Sequence, residues 1–251
     1  MSQSSAFFLA DAPESLALSL NGVEGQTGPR FKGFATLPVG FNFLAYHESS
    51  STASPFPAII WWITSATENT HASSVALFRW NSQDAVFVKD PQLQDTSLET
   101  FEDNFLRQSN ALIPYASFMR HQDGSEQLWL GLTNFIVLDV VEQVLGQHSK
   151  IIGLSNSSQL EFSSIPSVKE FALRHRLSAA EITRLALDSS TILESLQAHN
   201  LLAELQLSFI IFKYCMNMDC FDVWMRLVRL FCNSTMDTKL AQAFISAVLP
   251  Q

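Results

Sequence analysis

A glycine-rich stretch near the start of the chain, NGVEGQTGPRFKG, has the composition of a loop that binds phosphate. Gly28 and Gly33 have the spacing of the two glycines in a nucleotide-binding P-loop, which must continue with Lys and Ser or Thr. Phe34 and Ala35 occupy those two positions. A Rossmann fingerprint fails as well, since the alternating sequence GFNFLAYH that follows is typical of a half-buried strand and not of a helix. We therefore interpret the stretch as a turn that leads into a β-strand.

Other side chains that commonly carry chemistry are scattered along the chain. The six histidines have no HxxxH or HxH spacing for zinc, and no GxSxG nucleophile elbow is present. Cys215, Cys220 and Cys232 form no CxxC pair and lie in no basic setting that would lower a thiol pKa, so we expect free, mostly buried thiols. The sequence predicts no enzyme, no cofactor and no metal site, although a catalytic triad assembled in space would leave no local signal.

The composition is that of a globular protein with a substantial core, because 47% of the 251 residues are hydrophobic and 16% are charged. A formal net charge of −9 argues against direct binding to RNA or DNA, which requires clustered Lys and Arg. The longest apolar runs, PAIIWWI and LSFIIF, are much shorter than the ~20 residues that cross a bilayer. The N-terminus lacks the basic flank of a signal peptide. We expect an intracellular protein with no membrane span.

The first half of the chain is punctuated like a β domain. Short alternating or aromatic runs, separated by Gly, Ser, Asn and Pro clusters, predict a sheet of at least five antiparallel strands. These runs are SLALSL, GFNFLAYH, AIIWWIT, VALFRW and AVFVKD, with a further short strand at KIIGL. We predict a helix over residues 95–108, and an extended segment from Leu128 that runs into a short helix after Asp139. The fold class is therefore predicted as α+β, with an antiparallel, sandwich-like domain over residues 1–154.

The sequence pattern of the second half of the chain predicts helices. A Ser-rich stretch without pattern indicates an interdomain linker over residues 155–177, followed by an α-helical domain over residues 178–251. Ser178 and Glu181 have the spacing of a capping box. The segment NLLAELQLSFIIFKYC is apolar almost all round and predicts the buried central helix, with Glu204 in its first turn. The segments CFDVWMRLVRLFC and DTKLAQAFISAV predict two more helices.

Three stretches together resemble one protein family. Residues 27–33, TGPRFKG, followed by Pro38 and Gly40, resemble the N-terminal signature of the a1-cistron splicing factor family. The sequence LTNF at residues 132–135 resembles the end of that family's β domain. The third match resembles the helical domain and consists of AEITRLALDSS, ELQLSFIIF and WMRLVRLFC. The order and spacing of these stretches over residues 20–235 make the resemblance specific.

The resemblance implies a noncatalytic pre-mRNA splicing factor. It would act as an assembly chaperone of the U5 small nuclear ribonucleoprotein, in nucleus and cytoplasm, and bind the RNase H-like and Jab/MPN-like domains of its large scaffold protein. The acidic charge suits a chaperone that covers a basic, RNA-binding partner. The alternative is a protein-binding adaptor with a β-sandwich and a helical hairpin, unrelated to splicing. The partner-binding candidates are Arg30, Phe31, Lys32, Asn134, Phe135, Glu204, Gln206 and Trp224, while Gly28 and Gly33 are expected to serve backbone geometry.

The last predicted helix carries a stripe of large apolar residues. In the resembled family the helical domain continues for several more helices, so we expect this chain to be C-terminally shortened and its helical domain incomplete. An apolar stripe without a cover favours association. We therefore expect self-association through this helix, whose stripe consists of Leu240, Phe244, Ile245 and Val248.

Overall fold

A computed structural model describes residues 6–47, 58–64, 75–89, 112–118, 125–146, 149–151, 160–196 and 198–250. The helix predicted over residues 95–108 lies outside these ranges. The chain divides into two compact units. Unit 1 consists of Met1–Trp129 and Gln147–Gly153, and unit 2 consists of Leu130–Gly146 and Leu154–Gln251.

Unit 1 contains two five-stranded sheets. The strands are β1 (Ala6–Ala10), β2 (Ala17–Leu20), β3 (Val23–Gln26), β4 (Gly33–Ala35), β5 (Gly40–His47), β6 (Ala58–Thr64), β7 (Val75–Asn81), β8 (Val86–Lys89), β9 (Ile113–Pro114) and β10 (Ser149–Ile151). The first sheet has the order β8-β7-β1-β4-β9, and the second has the order β10-β6-β5-β2-β3. The six runs predicted as strands are confirmed as β2, β5, β6, β7, β8 and β10.

Strand pairing is antiparallel throughout the second sheet and mixed in the first. In the first sheet β1 pairs parallel to β7, and β4 pairs parallel to β9. Asn21 and Gly22 close the β2–β3 hairpin with φ values of 50° and 84°, the left-handed geometry that a two-residue hairpin turn requires. The predicted α+β class with an antiparallel β-rich domain is confirmed, and the first sheet adds two parallel pairs that were not predicted.

The two sheets pack face to face around one hydrophobic core. Phe7 of β1 stacks on Trp62 of β6, with ring centroids 3.9 Å apart and ring planes 3° apart. The backbone N–H of Phe87 in β8 donates a hydrogen bond of 2.8 Å to the hydroxyl oxygen of Tyr46 in β5. Burial of one phenylalanine side chain contributes about 1.5–3 kcal/mol, so these aromatic contacts between the sheets hold the sandwich together.

The helices begin near the end of unit 1, and most of the described residues of unit 2 are helical. They are α1 (Tyr115–Phe118), α2 (Ser125–Thr133), α3 (Leu138–Leu145), α4 (Val168–His175), α5 (Ala179–Leu187), α6 (Ser190–Glu194), α7 (Ala198–Cys215), α8 (Met218–Cys232) and α9 (Thr238–Val248). The extended segment predicted from Leu128 is wrong, because α2 covers that position. A short apolar run is compatible with either a buried strand or a buried helix, and here tertiary packing selected the helix.

Helix α7 is the centre of unit 2, as predicted. All residues from Leu201 to Ile211 are buried. The helix begins at Ala198, earlier than expected, so the prediction that Glu204 lies in the first turn is wrong and the residue lies in the second turn. Helix α8 follows after only Met216 and Asn217, and the two helices share the main hydrophobic cluster of the unit.

Helix α4 lies inside the stretch of residues 155–177 that was predicted as a linker. A capping box begins it: the N–H of Ser167 donates to the Glu170 carboxylate at 2.8 Å, and the N–H of Glu170 donates to Ser167 Oγ at 3.2 Å. The capping box predicted at Ser178 and Glu181 is confirmed, with the corresponding distances of 2.8 Å and 3.4 Å. In both boxes the bonds from serine lower the pKa of the carboxyl. Both α4 and α5 therefore begin with the cap of a regular helix.

The chain also enters unit 2 earlier than the predicted boundary. Helix α3 buries Val140, Val141, Val144 and Leu145, and it packs against α7. Residues 130–146 therefore belong to the helical unit, whereas residues 147–153 return to the sandwich through β10. Apolar burial explains the difference, because the short helix α3 covers its hydrophobic face only by packing on a neighbouring helix.

Helix α9 covers most of its apolar stripe within unit 2. Asp237 caps the helix by accepting a 2.7 Å hydrogen bond from the N–H of Leu240. Phe244 stacks on Phe231 of α8 with ring centroids 4.9 Å apart, and Leu240, Phe244 and Val248 all pack on the main cluster. Ile245 stays 52% exposed. Self-association through this helix remains a prediction.

Candidate protein-binding surface

The three cysteines are free thiols, of which Cys232 is exposed. Within the described ranges, no group of three or more His, Cys, Asp or Glu side chains is placed to hold a metal ion. Cys215 and Cys220 are buried, and burial raises the pKa of both thiols, which disfavours the nucleophilic thiolate.

No single helix in the described part of the chain has the length and hydropathy needed to cross a bilayer, and the bent pair formed by residues 126–133 and 138–145 has them by length and composition alone.

The loop of residues 28–33, here called the signature loop, is anchored by its own aromatic residue. The N–H of Phe31 donates to the carbonyl of Gly28 at 3.0 Å, which closes a turn, and the Phe31 ring packs edge-on against Phe34 at 5.2 Å. Phe31 is buried, so it holds the loop on the sandwich and leaves contact with a partner to its neighbours. Arg30 is exposed and Lys32 is half-buried. These two cations are the charged side chains of the loop that solvent reaches.

Only one of the two signature-loop glycines has the predicted backbone role. Gly33 has a φ of +127°, and a Cβ placed on it would lie 2.0 Å from the carbonyl oxygen of Phe7. Gly28 has no positive φ, and a Cβ placed on it would meet no atom within 4 Å. The prediction that both glycines serve backbone geometry therefore holds for Gly33 and is wrong for Gly28.

Gln206 ties the α2–α3 connection to the central helix. Its Oε1 accepts a 3.0 Å hydrogen bond from the N–H of Phe135, and its Nε2 donates to the carbonyl of Gly131 at 3.0 Å and to Asn134 Oδ1 at 2.7 Å. Gln206 is fully buried. Three of the predicted candidates, Asn134, Phe135 and Gln206, are thus brought together, and the glutamine uses its amide inside the protein.

Glu204 fastens a second segment to the same helix. The N–H of Ser163 donates to both carboxylate oxygens, at 3.2 Å and 3.0 Å, and Ser163 Oγ donates to one of them. The side chain of Glu204 is fully buried, and this burial raises the pKa of its carboxyl above the ordinary value of 4.5. Like Gln206, Glu204 has an architectural role.

The raised pKa of Glu204 predicts how the stability of unit 2 depends on pH. A group with a raised pKa in the folded state contributes stability below its unfolded pKa, and this contribution is lost as the pH rises through the folded pKa. We expect the melting temperature of the natural protein, relative to that of a Glu204→Gln variant, to fall over the pH range that begins at the ordinary carboxyl pKa of 4.5 and extends upward through the raised pKa. Thermal unfolding of both proteins across this range measures the difference. A difference that stays constant with pH would contradict a raised pKa.

Trp224 belongs to an aromatic row at the end of the α7–α8 hairpin. Its ring lies 5.8 Å from Phe209 and 5.9 Å from Phe221, and Phe221 lies 4.8 Å from Phe212. Met216 in the connection and Met218 at the start of α8 are 60% and 50% exposed. We call the set Phe212, Met216, Met218, Phe221 and Trp224 the hairpin tip.

The chemistry of the hairpin tip is that of an adaptable protein-binding surface. Aromatic residues and methionine are enriched in protein interfaces. Methionine is unbranched and polarisable, so an exposed pair can repack against partners of different shape. Trp224 was among the candidates named from the sequence and the two methionines were not, although the sequence CMNMD between two apolar helices was a signal for an apolar connection.

A groove lies beside the hairpin tip on helix α8. Its volume is about 240 Å³, and Phe162 and Ile165 line it on one side while Asp219, Val223 and Arg226 line it on the other. Ser163, which Glu204 holds, also lines the groove. The groove has the size for one or two side chains of a partner, and it offers a negative and a positive group to orient them.

Comparison with protein families and with curated proteins supports one assignment. The family model described as the AAR2 N-terminal domain matches residues 3–146, and the model described as the AAR2 C-terminal repeat region matches residues 162–250. The chain is 23% identical over 257 residues to a Protein AAR2 homolog of Pongo abelii, an alignment covering 83% of this chain and 64% of the relative. It is 22% identical over 274 residues to a Protein AAR2 homolog of Homo sapiens, covering 90% and 68%. The chain thus spans about two thirds of the length of these relatives.

Proposed function

Because the chain belongs to the AAR2 family, that of the a1-cistron splicing factors, we propose that it is a noncatalytic pre-mRNA splicing factor that assists assembly of the U5 small nuclear ribonucleoprotein. In this role it binds the RNase H-like and Jab/MPN-like domains of the large scaffold protein of that particle. It acts in nucleus and cytoplasm. It makes no direct contact with nucleic acid. The family assignment supports the splicing role, and the net charge of −9 suits a partner with a basic surface.

The hairpin tip is the observation that carries a binding function. Interface energy is concentrated in a few large apolar side chains, above all aromatic ones, surrounded by contacts of little individual effect. The tip supplies the aromatic row of Trp224 together with the exposed Met216 and Met218. We assign it the principal partner contact. Arg30 and Lys32 of the signature loop are a second candidate contact.

Charge introduced at the hairpin tip is expected to weaken binding to the scaffold protein. We expect Met216→Glu with Met218→Glu to raise the dissociation constant for the purified RNase H-like domain or Jab/MPN-like domain at least about tenfold, since a buried, unpaired carboxylate is costly in an apolar interface. Leu249→Glu, at a residue that is 79% exposed elsewhere on unit 2, is the control and should bind normally. Interferometry with immobilised domains measures the affinities, and circular dichroism verifies folding. Arg30→Glu in the same assay tests the second contact.

The outcomes of this experiment separate the two candidate functions. Binding of a scaffold domain that is lost with the tip variant and kept with the control supports the proposal. An equal loss of binding by the tip variant and the control would show that the hairpin tip is not a specific contact of the interface. The proposed splicing role would be unaffected. Absence of binding to either domain by the folded natural protein would contradict the U5 role. It would favour the alternative, a protein-binding adaptor unrelated to splicing, for which the two-sheet sandwich and the α7–α8 hairpin are the supporting features.

A further inference from the structure

Helices α4 and α5 each carry a leucine that is exposed to solvent and lies outside the core of unit 2. Leu173 is 79% exposed and Leu187 is 80% exposed. Each lies two residues after a buried residue of the same helix, Phe171 and Leu185. Two residues correspond to a rotation of about 200° around a helix, so both leucines point away from the core. Large aliphatic side chains with this exposure gain little from the folding of unit 2.

The same two helices are basic in an acidic protein. Residues 168–187 contain four Lys or Arg and two Glu, a local net charge of +2, whereas the whole chain has a net charge of −9. The two glutamates are the capping-box residues, whose carboxylates accept hydrogen bonds from the serines that begin each helix. Among the described residues, none of the four cations forms a salt bridge, and all four are exposed. They are Lys169, Arg174, Arg176 and Arg184.

From this combination we propose that the outer face of α4 and α5 binds an acidic amphipathic segment of a partner protein. Leu173 and Leu187 contact two apolar side chains of the segment, and the four cations pair with its carboxylates. Helix α5 extends about 12 Å from Ala179 to Leu187 at 1.5 Å per residue, so a segment that covers this helix spans about two helical turns. An acidic helix with one apolar side meets this requirement. The inference uses no residue of the hairpin tip and does not depend on the U5 role.

Charge complementarity favours a short acidic peptide over RNA. At physiological salt, charges act over about 8 Å, so a short peptide responds to the local positive charge while the net charge of −9 repels a long polyanion. Proteins bind single-stranded RNA by stacking its bases on exposed aromatic rings. On residues 168–187 the only Phe, Tyr or Trp is Phe171, which is buried. Exposed leucines provide contact with apolar side chains instead.

A synthetic peptide tests this proposal. The probe is a rhodamine-labelled peptide of about 18 residues, with leucine along one side of a helix and glutamate elsewhere, titrated with the full chain at about 0.15 M salt in a fluorescence anisotropy assay. We expect saturable binding. Leu173→Glu with Leu187→Glu, and separately Arg174→Glu with Arg184→Glu, should each raise the dissociation constant at least about tenfold. Leu249→Glu changes an equally exposed leucine outside the face and should leave binding unchanged.

Matched probes determine which part of the peptide is recognised. A peptide with lysine in place of glutamate, and one with serine in place of leucine, should both bind at least about tenfold more weakly. Absence of saturable binding by the acidic peptide would overturn the proposal, as would binding that survives both pairs of substitutions in folded protein. Oligouridylate is the remaining probe, and if it bound more tightly than the peptide, the face would be an RNA-binding surface and the assignment would be wrong.

Discussion

Gly33→Ala is expected to lower the free energy of unfolding of unit 1 by about 3 kcal/mol or more, a large effect for the addition of one methyl group. The φ of +127° is a conformation that residues with a Cβ rarely adopt. The added Cβ would also lie 2.0 Å from the carbonyl oxygen of Phe7, a distance that is possible only if the backbone moves. Gly33 pairs with Phe8 between β1 and β4, inside the first sheet, so this movement would disrupt strand pairing.

Gly28→Ala provides the matched control for this prediction. It adds the same methyl group five residues earlier in the same loop, where no atom lies within 4 Å and φ is not positive. We expect a change within about 0.5 kcal/mol, or a slight gain because alanine restricts the unfolded chain. Chemical denaturation monitored by tryptophan fluorescence and by far-ultraviolet circular dichroism gives both values. Equal stability of the two variants would show that β1 and β4 adapt to the extra atom, and that Gly33 is not required by geometry.

The strands of unit 1 were predictable where neighbouring residues specify them. The alternation of GFNFLAYH and the apolar run AIIWWIT identified β5 and β6, which pair with each other from Gly40–Thr64 to Tyr46–Ala58. The parallel pairing of β1 with β7 was not predictable, since it joins Ala6–Ala10 to Val75–Asn81 across more than sixty residues of chain. Parallel neighbours need a long connection, and the local pattern of a strand does not specify the strand that lies beside it.

The capping-box spacing in the sequence predicts the start of a helix at each place where it occurs. The capping-box spacing of Ser178 and Glu181 correctly predicted the start of α5. The same spacing at Ser167 and Glu170 was present in the sequence and begins α4, but the serine-rich composition of the preceding residues concealed it. A capping box satisfies two backbone groups of the first turn wherever it stands, so this local chemistry outweighs the average composition of a segment.

The candidate site was predicted less completely than the fold, because sequence alone does not distinguish an internal polar contact from an external one. Glu204 and Gln206 were singled out as contacts with a partner, and both are buried with their polar atoms bonded inside unit 2. Trp224 was singled out on the same basis and lies in a partly exposed aromatic row. Burial depends on which helices surround a position, and that information is distributed over the whole chain.

Gln206→Leu is expected to destabilise unit 2 by about 2–4 kcal/mol, the second large effect. Leucine approximately fills the volume of glutamine but removes all three of its hydrogen bonds. The N–H of Phe135, the carbonyl of Gly131 and Asn134 Oδ1 would then lose a partner that the fold provides. Asn134 is exposed and can bond water instead, so the loss falls mainly on the half-buried N–H of Phe135 and carbonyl of Gly131. A polar group that is removed from water and left without a partner costs about 1–3 kcal/mol, and two such groups together exceed the apolar gain from leucine. Denaturation monitored by far-ultraviolet circular dichroism, where helices dominate, measures the loss.

Two further variants assign the loss to the hydrogen bonds. Gln143→Leu makes the same replacement at an exposed position of α3, where the amide makes one weak 3.4 Å bond to the carbonyl of Glu161, and we expect a change within about 0.5 kcal/mol. Gln206→Glu keeps the shape and the acceptor but has no donor while it is ionised. It should therefore be less stable than the natural protein at neutral pH and recover part of the difference in acid, where the protonated carboxyl can again donate one bond. If Gln206→Leu were as stable as the natural protein, the connection between α2 and α3 would be held by apolar packing, and the amide of Gln206 would have no architectural role.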